Sequence, residues 1–175
     1  MSGQGLCMGE NATDATDATD ATMNGLHALF QFGDAFSSAL GVTPERRESM
    51  YAIAYGLYSK GNFKEARRLF AQLVIHDPVE PRFMRGLAAT TQMLGEYKQA
   101  LDMYVVLAAA NPGDPVPVMR AGDCLVALGR HAEAKESFEV AIAMCNEPAR
   151  DAVKRRCESV LVRLRRHGDS NGAAL

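Results

Sequence analysis

Gly61-Asn62-Phe63-Lys64-Glu65-Ala66 recurs as Gly95-Glu96-Tyr97-Lys98-Gln99-Ala100 and again as Gly129-Arg130-His131-Ala132-Glu133-Ala134, each time 34 residues on. The register extends outward from these hexads. Phe70, Tyr104 and Phe138 coincide, as do Leu73, Leu107 and Ala141. Pro78 meets Pro112, and Pro81 meets Pro115. A fixed period of this length marks an array of supersecondary units, each burying its apolar face on the next.

Each unit reads as two helices. The first is apolar at Met50, Ile53, Ala54 and Leu57, with counterparts Met84, Leu87 and Ala88, then Val118, Ala121, Gly122 and Leu125. Spacing by three and four places these on one helical face, directed to the core. Gly61, Gly95 and Gly129 close the first helix in a left-handed conformation that costs glycine little. The second helix carries a small residue, Ala66, Ala100 or Ala134, where two helices approach closely, and a core aromatic four residues later. Pro78 and Pro112 end it, and Pro81 and Pro115 suit the first turn of the next helix.

Helices are expected on either side of the array. Leu26, Leu29, Phe30, Gly33, Phe36, Ser37 and Leu40 share a stripe near 26–40, and Thr43-Pro44 then supplies an N-cap and a proline at the first helical position. Val153, Cys157, Val160, Leu161 and Leu164 form the stripe of an amphipathic helix near 149–166 that hides the last open face. The Ala-Thr-Asp run within residues 1–23 has no large apolar group and is read as a disordered leader, and 168–175 as a disordered tail. The expected fold is therefore all-α. It comprises repeats at about 47–80, 81–114 and 115–148, an N-terminal helix over 24–43 and a capping helix over 149–167.

Composition narrows the function. Of 175 residues, 47% are hydrophobic and 23% charged, and there is no Trp. No stretch is apolar enough to span a bilayer. With Arg46 as the first basic residue, no secretory signal is expected. Residues 1–45 hold six acids and no base, and the remainder 19 bases and 15 acids, too mild a bias to imply nucleic acid. Cys7, Cys124, Cys145 and Cys157 lack CxxC spacing and read as reduced thiols, mostly in the core. The scattered histidines offer no metal motif, and no nucleophile, carboxylate pair or phosphate loop points to catalysis. We expect no metal, no cofactor and no enzyme.

The 34-residue period, small residues at the eighth and twentieth positions and a closing proline resemble tetratricopeptide repeats, which stack into a right-handed superhelix. His131 and Asn146 depart from the pattern and leave the third repeat's register least secure. In such arrays positions 2, 5, 9 and 12 of each first helix line a concave groove. Here these are Glu48, Tyr51, Tyr55 and Tyr58, then Arg82, Arg85, Ala89 and Gln92, then Val116, Met119, Asp123 and Val126. Tyrosine joins a rigid apolar ring to a hydroxyl, which suits a half-wet peptide groove. The alternative is that Tyr51, Tyr55 and Tyr58 pack beneath the N-terminal helix. Arg82 and Arg85 could donate to a peptide or be ordinary solvated arginines. Met93 and Met119 offer adaptable apolar pockets.

Met50 to Ala66, with its three tyrosines, and Asp77 to Pro81 followed by Arg82-Phe83-Met84-Arg85-Gly86-Leu87-Ala88 resemble the first two repeats of class II chaperones of bacterial type III secretion. The resemblance covers about 26–166. It implies a cytoplasmic bacterial protein that holds an extended, proline-containing N-terminal segment of hydrophobic translocator proteins in its groove and keeps them soluble before secretion. It also implies a transcription activator as a further partner of some members. Homodimerisation through the N-terminal helix is implied too, with Leu26, Leu29, Phe30, Phe32, Phe36 and Leu40 as interface residues. The alternative function is a general repeat scaffold or adaptor. An adaptor for acidic C-terminal peptides needs Lys and Asn where Tyr51 and Tyr55 stand.

Overall fold

A computed structural model describes the backbone of residues 41–172 and the side chains of 41–166. The expected leader, the stripe of Leu26 to Leu40 and Cys7 lie outside the described residues. Among the described residues the chain is helical, without strands. We label the helices α1 (Pro44–Ser59), α2 (Phe63–His76), α3 (Pro81–Met93), α4 (Tyr97–Ala110), α5 (Pro115–Ala127), α6 (His131–Ala143) and α7 (Asp151–Gly172), with a 3-10 turn at Pro148–Arg150. Packing runs chiefly between successive helices, and contacts of α1 with α3 and of α5 with α7 are slight.

Local chemistry sets the boundaries. Each first helix opens on a capping side chain followed by proline. Thr43 Oγ1 accepts from the Arg46 amide at 3.3 Å, Glu80 Oε1 from that of Arg82 at 3.1 Å, and Asp114 Oδ1 from that of Val116 at 2.9 Å. Each closes in the same way. Gly61, Gly95 and Gly129 adopt φ of 82°, 82° and 74°. The following amides of Asn62, Glu96 and Arg130 then donate back to the carbonyls of Leu57, Thr91 and Leu125. That bond needs a left-handed residue before it, which only glycine supplies without strain. Asp114→Ala removes such a cap and should lower unfolding stability by about 1 kcal/mol in urea titration. It also releases the Arg85 ion pair described below, which adds little at a surface.

The core divides in two. Ala54, Ala66, Phe70, Leu73 and Phe83 form the smaller cluster. The larger runs from Ala88 through Tyr104, Leu125 and Phe138 to Cys157, Val160 and Leu161 of α7, which caps the stack. Thr90 and Thr91 are buried, and their hydroxyls donate to the carbonyls of Gly86 and Leu87 within their own helix. Among the described residues no buried side-chain polar atom lacks a partner.

Two expectations need correction. Ile53 is 58% exposed instead of buried, because it sits about a quarter turn round α1 from Ala54, away from α2. The C-terminal helix begins at Asp151, after the 3-10 turn, and continues through the expected tail to Gly172. A polar composition does not by itself stop a helix already anchored by Cys157, Val160 and Leu161. An interior glycine such as Gly168 costs it only about 1 kcal/mol.

Cys124 and Cys157 are buried, unpaired thiols, and burial pushes both up from 9.0 to about 11, with nearby Asp123 adding to the effect. They should react with a disulfide reagent at pH 8 only as fast as the chain opens, and at once in denaturant. The unfolded chain loses these protons first. Stability should therefore fall as pH climbs from about 9 towards 11.

A candidate peptide-binding cleft

The first helices α1, α3 and α5 lie along one side of the stack and enclose a half-open cleft of about 230 Å³. Tyr51, Tyr55, Tyr58, Arg82, Arg85, Ala89 and Val116, all expected in the groove, line it. Phe70, Gly86, Tyr104, Pro117 and Arg120 line it as well and were missing from the sequence reading. Phe70 and Tyr104 belong to the second helices and reach the cleft floor through the gaps between first helices. Gly86 opens one such gap: a Cβ there would lie 2.3 Å from the Phe70 ring. The signal was present at the sixth repeat position, which pairs Gly86 with Arg120 just as the twenty-fourth pairs Phe70 with Tyr104.

The three tyrosines differ in role. Tyr51 is half-buried and packs its ring 6.0 Å from Phe70 and 5.7 Å from Phe83, so it belongs partly to the core. Tyr58 leans edge-on to Phe63 at 5.5 Å. Tyr55 stacks on Tyr51 at 6.4 Å yet is 58% exposed, the freest of the three rings.

Arg82 and Arg85 are not merely solvated. Arg82 Nη2 donates to Glu48 Oε1 at 2.6 Å, its Nε lies 3.0 Å from Glu80 Oε1, and its guanidinium sits 5.1 Å from the Tyr51 ring centroid. The hydrogen bond from Arg82 holds the Glu80 carboxyl below its usual range. Arg85 Nη2 donates to Asp114 Oδ2 at 3.0 Å.

The remaining expected groove residues stand elsewhere. Met119 is only 5% exposed and packs in the larger core cluster, where α5 lies against α4 and α6. Val126 packs half-buried against the same cluster. Gln92 accepts the Tyr104 hydroxyl at 3.0 Å and so positions the floor; burial raises that phenol above its ordinary range. Asp123 accepts from Arg156 of α7 at 2.8 Å. Met93 is exposed but does not line the cleft.

Helix pairs stacked with a 34-residue period, capped alike and open on one aromatic-lined side, define a tetratricopeptide-repeat protein. A family model described as a tetratricopeptide repeat matches residues 51–115. Chaperone protein SicA of Salmonella typhimurium is 31% identical over 108 residues, 62% of this chain and 66% of SicA, just under two thirds of that relative's length. PcrH of Pseudomonas aeruginosa, solved in complex with the chaperone binding region of PopB, superposes with a TM-score of 0.65 at 30% identity, over 68% of this chain and 97% of PcrH. SycD, the Yersinia enterocolitica type III secretion translocator chaperone, solved with a peptide of the translocator YopD, gives 0.67 at 26% identity, over 73% of this chain and 98% of SycD. The chain belongs to this tetratricopeptide-repeat family of type III secretion translocator chaperones.

Among the described residues no helix is long and apolar enough to cross a membrane. No group of three or more His, Cys, Asp and Glu side chains there could hold a metal ion.

Proposed function

We propose that this chain is a non-enzymatic cytoplasmic chaperone that holds an extended apolar segment of a hydrophobic translocator in the cleft of α1, α3 and α5. It thereby keeps that client soluble and apart from its partner until secretion. The observation that carries this reading is the exposed Tyr55 ring above a floor of Phe70 and Tyr104. The tyrosine hydroxyls can stay wet while the rings bury client side chains, and the small Ala89 lets a backbone come close. The translocator peptides on PcrH and SycD support the same use of this fold. Self-association through Leu29, Phe30, Phe32 and Phe36 is part of the proposal and predicts that Phe32→Glu halves the mass seen by light scattering.

The test is co-expression with a protein of long apolar segments encoded beside this chain. A translocator client should move into the soluble fraction and co-purify. A client that stays insoluble, with only folded proteins captured, would favour the scaffold reading instead.

A further inference from the structure

The charges beside the cleft are unevenly placed. At the α1–α3 end Arg82, which lines the cleft, stands between two carboxylates at its rim that do not, Glu48 at 2.6 Å and Glu80 at 3.0 Å, which leaves this trio with one negative charge in excess. In the middle, Arg85 and Asp114 form a balanced pair at 3.0 Å. At the α5–α7 end Asp123 stands between two guanidinium groups, Arg156 at 2.8 Å and Arg120 at 3.8 Å, which leaves one positive charge in excess. Arg120 itself lines the cleft, and among the described residues the carboxylate it approaches, Asp123, is held by the nearer Arg156.

We infer that the cleft is electrically polarised and reads the direction of its client: it selects an extended apolar segment carrying an acidic residue at the end seated by Arg120 and a basic residue at the end seated by Glu48. This rests on the client-binding reading above and adds to it the charge pattern of the segment and a single orientation. The apolar centre supplies affinity, and the two terminal charges supply register, as complementary rim charges do at other interfaces. Reversing one terminal charge should change affinity about threefold, and reversing both about tenfold.

Three synthetic peptides of one length test it by calorimetry on the full chain. All share a centre of Val, Leu and Pro. One begins with Lys and ends with Glu, the second reverses these, and the third carries Gln at both ends. One charged peptide should bind about tenfold more tightly than its reverse, with the Gln peptide between them, and high salt should shrink the ratio. Arg120→Gln should lower the ratio from about tenfold to about threefold, since the Glu48 end remains, and Arg120→Lys should restore part of it. Glu48→Gln should do the same from the other end, so the result does not hang on the folding of one variant. Equal binding of both charged peptides alongside binding of the Gln peptide overturns the polarity and leaves the chaperone reading standing. A ratio that survives both Arg120→Gln and Glu48→Gln overturns it as well. No binding of any peptide removes the cleft as a client site and the polarity with it.

Discussion

Phe138→Ala should cost about 3–5 kcal/mol of unfolding free energy, the largest loss we expect from any single truncation in this chain. The ring is fully buried at the joint of α5 and α6, in the larger core cluster. It also lies against a glycine. A Cβ on Gly122 would come within 2.8 Å of the Phe138 ring, closer than carbon atoms tolerate. Gly122→Ala should therefore destabilise by about 1–3 kcal/mol through overpacking. Together the two substitutions should cost clearly less than their sum, since the added methyl enters the space the ring vacates. Urea denaturation with an unchanged slope is the measurement. Strict additivity would mean that the two sites relax independently and that the contact does not set the helix spacing.

Tyr55→Ala should weaken client binding about thirtyfold, near 2 kcal/mol, while changing stability by no more than about 0.5 kcal/mol. Its ring is more than half exposed and, among the described residues, its aromatic neighbour is Tyr51. Tyr51→Ala should lower both together, because that ring packs on Phe70 and Phe83. Unfolding titrations and calorimetry with the co-purified client separate the outcomes. If Tyr55→Ala destabilises as much as Tyr51→Ala, the ring is core and the client site must be sought in the second and third repeats.

The helix pairs were legible because their signals are local. A proline, a capping carboxylate or hydroxyl and a closing glycine act within four residues, and they recur three times. The cleft was only half legible. Positional rules for a repeat assume that a given first-helix position keeps one environment, yet Met119 joins the larger core cluster with Cys124 and Leu125 and so turned from groove to core. The ionic partners were invisible for a related reason. Arg82 and Glu48 are 34 residues apart, Arg156 and Asp123 33, and Arg85 and Asp114 29, so each pair exists only once helices stack. Ile53 failed for a simpler cause: an apolar residue at helical spacing records a face, but not which neighbour covers it.

Helices that touch chiefly their neighbours in sequence also have a mechanical meaning. The cleft's width is not fixed by a brace from α1 to α5; it accumulates from small rotations at each successive contact. The array is a short coil spring, and the proposed client, lying across three repeats, would serve as its strut. Filling the cleft stiffens the coil, and drawing the client out from one end lets the turns relax in sequence. On the client-binding proposal, withdrawal of a segment from one end would then need no concerted opening of the whole array.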